Sequence, residues 1–318
     1  MSIAPYIKDI GRGAQGARAL DAVTAQKVMG LVLDGQVSDL EVGAFVMALR
    51  MKGETLAELE GFLAAVQARC QHWQSEQPVV LIPSYNGARR LPNLVPLLAM
   101  ALAQEGARVL VHGQPSDPGR VTTAEVFRDL GLPVAHNASD AHSAWARREP
   151  AFVHTATLCP PLQRLLDVRR AVGVRNAGHT VAKMLNPIQG SRTLRLVNFT
   201  HPEFGRLMAQ WAEHSACDTL LLRGTEGEAV ADPRRQPRMD TWLQGQTCTE
   251  LSAPAHDGVV TELPLLPREN DAATTALYVQ AVLGGEKPLP APMARQVQLV
   301  VGALARLRSE QPALGQTA

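Results

Sequence analysis

Apolar positions in the first 75 residues recur with helical spacing. Ser38-Asp39-Leu40-Glu41 has the form of a capping box, and Val42, Phe45, Val46 and Leu49 follow at i, i+3, i+4 and i+7. Thr55-Leu56-Ala57-Glu58 is a second box, opening a helix that buries Leu59, Phe62, Leu63 and Val66, and Gly53 separates the two. Thr24 is expected to cap a further helix, which Gly35 ends. These patterns predict a compact all-helical unit. From Val79 the pattern changes. Short β-rich runs at 79–82, 109–111, 133–135, 194–199 and 219–222 alternate with helical stretches at 93–104, 122–130, 202–214 and 272–283. Such alternation predicts an α/β sheet layered with helices. The tail, 311–318, is expected to fray.

The most suggestive turn lies where the first β-rich run meets its helix. Val79-Val80-Leu81-Ile82 leads into Pro83-Ser84-Tyr85-Asn86-Gly87-Ala88-Arg89-Arg90. A strand, a turn and a helix start offer free backbone N–H groups and the positive end of a helix dipole, which suit an anion. Close approach of phosphate takes bare glycines, whereas Pro83 removes a donor and Tyr85 adds bulk. Ser84, Asn86 and the two arginines remain. Gly11-Arg12-Gly13-Ala14-Gln15-Gly16 matches G-x-G-x-x-G by letter, but the preceding 5–10 reads as a short helix rather than a strand. A flexible glycine loop is the better reading.

Composition narrows the functional classes. A chain of 318 residues allows a main domain and a smaller one, and 46% hydrophobic residues suffice for a sizeable core. Aromatics make up only 4%, which argues against extended base-stacking platforms. A net charge of +1 means that any polyanion partner needs a local patch. One exists: between 164 and 195 lie Arg164, Arg169, Arg170, Arg175, Lys183, Arg192 and Arg195 against a single acid, Asp167. A solvated helical face is the ordinary reading of such a run, and a phosphate-contacting surface is the sharper one. Arg89, Arg90 and Arg120 extend it if the fold brings their loops together. The cysteines Cys70, Cys159, Cys217 and Cys248 are spaced for neither a disulfide framework nor zinc. Among the histidines only His112 and His179 stand out, by their neighbours. No signal peptide or membrane span is expected, and a cytoplasmic location is.

Several segments resemble the anthranilate phosphoribosyltransferase family. The run from Val37 to Thr55 looks like its N-terminal helical signature, and Val168-Arg169-Arg170-Ala171-Val172-Gly173-Val174-Arg175 with Asn186-Pro187 looks like its central segment. The resemblance implies the nucleoside phosphorylase/phosphoribosyltransferase fold. That is a small helical N-terminal domain, 1–75, joined by an excursion near 165–190, and a larger α/β domain, 76–318, with a central mixed, mostly parallel sheet. The family's chemical motifs are broken. Its G-T-G-G-D pyrophosphate loop falls on Pro83-Ser84-Tyr85-Asn86-Gly87, and its K-H-G-N motif on Val111-His112-Gly113-Gln114, with an apolar residue for the lysine. Its serine-rich phosphate loop is replaced by Pro115-Ser116-Asp117-Pro118-Gly119-Arg120. Its magnesium-binding Asp-Glu pair falls on Gly227-Glu228, leaving one carboxylate, with Glu226 adjacent. Arg169 matches the arginine that contacts anthranilate. Phosphoribosyl transfer relies on Mg²⁺ and cations at the leaving pyrophosphate, and a single such contact is worth roughly 3–4 kcal/mol.

Ile82-Pro83-Ser84-Tyr85-Asn86-Gly87-Ala88-Arg89, the segment 173–183 and Gly224-Thr225-Glu226-Gly227-Glu228 resemble the YbiB-type branch of the family. That resemblance implies a homodimer, joined through the helical domain, that binds nucleic acid without transferase activity. On this expectation DNA or RNA is held with low sequence specificity by Arg89, Arg90, Arg120, Arg164, Arg169, Arg170, Arg175, Lys183 and Arg192. Ser84, Asn86, His112, Gly113 and Glu228 form a degenerate substrate site, with no catalytic residue, metal or cofactor. The alternatives are a transferase or phosphorylase for a different substrate, with Mg²⁺ as its cofactor, and a scaffold that binds a small anion or a protein.

Overall fold

Capping boxes organise the helical part of the chain. In the computed structural model, which describes residues 2–13 and 15–310, Met1–His72 and Thr155–Pro187 form one unit. Its helices are Ala4–Ile10, Ala22–Leu33, Asp39–Lys52 and Leu56–Gln67, followed by Thr155–Leu158, Pro160–Val172 and Ala177–Ala182. Both expected boxes form: Ser38 and Thr55 accept from the backbone N–H of Glu41 and Glu58, whose carboxylates accept in return. The helix expected from Thr24 begins earlier. Asp21 accepts from Thr24 N at 2.8 Å and is the cap, which places Thr24 inside the first turn. Gly61 lets helices Ala22–Leu33 and Leu56–Gln67 approach closely, because a Cβ there would lie 2.3 Å from the Ala22 carbonyl oxygen. A helix, Ala4–Ile10, does precede the glycine loop, of which Ala14 lies outside the described residues.

Trp73–His154 and Ile188–Ala318 form the second unit, and the tail 311–318 lies outside the described residues. Its strands are β1 (Trp73–Gln74), β2 (Val79–Ser84), β3 (Arg108–Gly113), β4 (Ala151–His154), β5 (Ile188–Gln189), β6 (Thr193–Phe199), β7 (Thr219–Arg223), β8 (Met239–Leu243) and β9 (Gln246–Thr247). A seven-stranded sheet runs β4-β3-β2-β6-β7-β8-β9, parallel through β7 and antiparallel beyond it, while β1 pairs with β5. The expected mixed, mostly parallel sheet is thus present. Every residue of β2 is buried, as a parallel strand covered on both faces requires. Helices Val95–Gln104, Thr123–Asp129, Ala138–Ala146, Pro202–His214, Ala272–Leu283 and Ala291–Ser309 complete the unit. The run 133–135 is not a strand, since Val134 makes one bridge, to Phe152 of β4. β4 takes the sheet position, and Phe152 packs edge-on against Phe127 with ring centres 5.8 Å apart.

From β2 the chain winds one way through β3 to β4, and the other flank is β6 and β7. The order therefore reverses between β2 and β6, and ligand sites in open α/β sheets form beyond the carboxyl ends of strands at such a point.

Candidate functional site

The carboxyl ends of β2, β3, β6 and β7 bring together the turn after Ser84, His112-Gly113, Asn198 and the loop 224–228. Glu228, 1% exposed, reaches across to the turn, and its Oε1 accepts from the N–H groups of Asn86 (2.7 Å) and Gly87 (2.5 Å). Glu226 accepts from the N–H groups of Arg89, Arg90 (2.8 Å) and Leu91 (3.1 Å). The remaining donor in the run, Ala88 N–H, goes to Val121 O at 2.9 Å. Every backbone donor from Asn86 to Leu91 is thus engaged. A turn of the kind that suits a phosphate has the protein's own carboxylates on its donors.

The space around the turn is filled as well. Asn86 and Asn198 both donate to the Gly227 carbonyl, at 2.5 and 2.6 Å. Gly227 has φ +88°, and a Cβ there would fall 1.7 Å from Asn86 Nδ2, so only glycine fits. Gly113 is equally constrained, its Cβ position lying 1.9 Å from the Ser84 carbonyl oxygen. Ser84 Oγ pairs with Thr123 Oγ1 at 2.7 Å, and Arg120 donates to the Gly87 carbonyl at 3.2 Å. Tyr85, expected to obstruct the turn, instead points inward, its hydroxyl 2.8 Å from His112 Nδ1. His112 is wholly buried, and burial holds its pKa down at about 3, so the ring is neutral at physiological pH. Among the described residues its Nε2 has no hydrogen-bond partner.

Comparison with known proteins fits this geometry to a family. Residues 4–70 match the helical bundle domain of the glycosyl transferase family. The uncharacterized protein YbiB of Escherichia coli (strain K12) is 37% identical, over 91% of this chain and 90% of that one. The chain belongs to the YbiB family. Its members stand close to the transferases: the anthranilate phosphoribosyltransferase of Nitratidesulfovibrio vulgaris is 29% identical over 85% of this chain and 81% of its own. Solved structures agree in fold. That of the Thermus thermophilus anthranilate phosphoribosyltransferase superposes with a TM-score of 0.68 at 20% identity, covering 97% of this chain and 90% of that one. The Saccharomyces cerevisiae enzyme, solved in complex with PRPP and Mg, gives 0.63 at 15% identity, over 96% of this chain and 95% of its own.

A Mg²⁺ ion in this family member would have Glu226 and Glu228 as its nearest candidates. Both are turned toward backbone N–H groups, and the ion would have to draw them away. Among the described residues no three His, Cys, Asp or Glu side chains gather as a metal site. The donor set as folded does not fit the metal.

The cations expected to meet phosphate fall into both units. In the helical unit Arg164 and Arg170 are exposed and Arg169, Arg175 and Lys183 half-buried. Arg164 donates to the Leu33 carbonyl at 2.9 Å, and Arg170 lies 3.4 Å from Asp167. His179 stays near pKa 3 first because it is buried and then because Arg175, Arg169 and Lys183 repel its proton. In the α/β unit Arg89 and Arg90 are exposed. Arg192 is held by Asp218 at 2.6 Å and Glu310 at 2.7 Å, acids that offset its charge. Arg195 likewise lies over the Trp211 ring, 5.3 Å from its centre. Glu226, Asn198 and Thr123 were not among the expected site residues. Glu226 alone carried a signal, its place beside the matched Asp-Glu position.

Proposed function

We propose that this protein binds DNA or RNA through the phosphate backbone, with little sequence preference, and does not carry out phosphoribosyl transfer at the β2 turn. The observation that carries the binding half is the group of half-buried cations Arg169, Arg175 and Lys183 in the helical unit, all three of which act on His179. Arg164 and Arg170 add to the same unit, and backbone recognition needs such a concentration rather than stacking aromatics. Occupation of the turn's N–H donors by Glu226 and Glu228 supports the other half. An incoming pyrophosphate would have to displace two carboxylates, and the buried, neutral His112 offers it no charge.

A homodimer joined through the helical unit belongs to the same reading. Leu40 and Met51 on helix Asp39–Lys52 are strongly exposed (84% and 81%), and Met51 lines an apolar groove of about 550 Å³ between that helix and Ala4–Ile10. The second reading is a transferase for another substrate with Mg²⁺ as cofactor, favoured by the chain's likeness to anthranilate phosphoribosyltransferases, and it requires Glu226 and Glu228 to leave the N–H groups they hold as folded.

Binding of a random-sequence oligonucleotide to the wild type and to Arg169→Glu/Arg170→Glu, across several salt concentrations, tests the proposal. It expects weaker, less salt-dependent binding by the variant at an unchanged fold, and equal affinities would refute the patch. Metal-dependent stabilisation of the wild type by PRPP with Mg²⁺ in a thermal-shift assay would favour the transferase instead.

A further inference from the structure

The other end of the same sheet carries a second polar site. Where β3 begins, a cavity of about 340 Å³ is lined by Gln77, Gly106, Arg108, His142, Trp145 and Arg148 among others, with no acidic residue among the described residues of its wall. Arg108 in its wall and Gly113 stand at opposite ends of β3, roughly 17 Å apart at about 3.3 Å per residue. We propose that this cavity binds a small phosphate monoester of the sugar-phosphate class, its phosphate held by Arg108 and Arg148 and a sugar hydroxyl donating to His142.

Each of the three side chains is set for the task. Arg108 lies over the Trp145 ring, 5.6 Å from its centre, and donates to Ser75 Oγ at 3.1 Å, which fixes the guanidinium at the wall. The indole is fixed in turn, because its Nε1 donates to the Val109 carbonyl at 2.9 Å. His142 Nε2 lies 2.9 Å from the Gln74 carbonyl. A carbonyl can only accept, so Nε2 carries the hydrogen and Nδ1 is an acceptor, left to receive a hydrogen bond from a sugar hydroxyl. Arg148 is the most telling. It has φ +57° in the slot after the helix Ala138–Ala146, where its N–H bonds to the Trp145 carbonyl and Glu149 N–H bonds to Ala144. That arrangement is a Schellman motif, whose left-handed position normally takes glycine. An exposed arginine there accepts backbone strain, which is explained if its guanidinium is needed.

The charge balance favours an anion. Two helix C-termini face this region, those of Val95–Gln104 and Ala138–Ala146, each worth about half a negative charge. Against them stand Arg108, Arg148 and Arg308, which donates to the Gly106 carbonyl at 3.0 Å. The arginines outnumber the helix ends, and the wall itself carries no acid, which suits an anionic phosphate monoester. The volume exceeds what a bare phosphate fills and falls at the small end of ligand pockets, which leaves room for a sugar.

Calorimetric titration of the full chain with glucose 6-phosphate, inorganic phosphate and glucose tests the assignment. Arg148→Gly is the informative variant, since glycine suits the left-handed slot and Tm should hold or rise while the guanidinium is lost. The proposal expects glucose 6-phosphate to bind the wild type, inorganic phosphate to bind more weakly and glucose not at all. It also expects Arg148→Gly to weaken the sugar phosphate about tenfold or more, the loss that one charge-assisted hydrogen bond implies. No binding at about 10 mM, or equal binding by wild type and Arg148→Gly, would overturn it. Inorganic phosphate binding as tightly as the sugar phosphate would overturn the monoester assignment in favour of the free ion.

Discussion

Removing the Glu228 carboxylate should destabilise the protein and, in doing so, recreate an anion site. In Glu228→Ala the N–H groups of Asn86 and Gly87, both in buried residues, lose the oxygen they share at 2.7 and 2.5 Å. An unsatisfied buried donor costs about 1–3 kcal/mol, so two cost about 2–6 kcal/mol. At roughly 2 °C per kcal/mol for a chain of this size, Tm should fall by about 4–12 °C. Inorganic pyrophosphate in the millimolar range should then restore part of the loss, because it supplies the missing acceptor at the same donors. The wild type should respond little, its donors being already engaged. Differential scanning fluorimetry of both proteins, with and without pyrophosphate, reads both effects. The reasoning fails if pyrophosphate raises the two melting temperatures equally, or if the variant loses less than about 1 kcal/mol.

Acid should unfold the protein early. His112 and His179 are held near pKa 3 in the fold against about 6.5 when unfolded, so below pH 6.5 only the unfolded chain gains their protons. Stability is then complete above about pH 6.5 and falls as pH drops toward about 3, by up to about 2 kcal/mol per histidine at pH 5. Urea unfolding at pH 7 and pH 5 measures this, and His179→Gln should flatten the dependence; an unchanged slope in that variant contradicts the assignment. Gly227→Ala forces a Cβ to 1.7 Å from Asn86 Nδ2 at φ +88°, and should lower Tm by more than about 5 °C. A melting curve like the wild type's would show that the 224–228 loop does not pack on the turn as described.

Local signals in the sequence told most of the fold. Capping boxes at Ser38 and Thr55 depend on residues three apart and formed as read, and Thr122 with Glu125 forms a third. The start of helix Ala22–Leu33 was read at Thr24, also a good capping residue, and the hydrogen bond from Thr24 N–H makes Asp21 the cap instead. At the sheet edge the run 133–135 was expected as the strand and Ala151–His154 was not, because only pairing with β3 separates a strand from a single bridge. The site was legible as a set of broken motifs, but not as a filled one. Glu226 and Glu228 meet a turn that is more than 130 residues away along the chain, a contact that no periodicity or spacing announces. The same limit applies to Arg192, a cation by letter whose two acids lie 26 and 118 residues away along the chain.

The most direct test of the central claim is the salt dependence of oligonucleotide binding by the wild-type protein. Each phosphate neutralised contributes a slope of about −0.9 for duplex DNA, or about −0.7 for a single strand, in log K against log salt. Three or more cations acting together, as Arg169, Arg175 and Lys183 would, predict a slope of about −2 or steeper that does not change with sequence. A slope near zero, or no binding at low salt, would contradict the account.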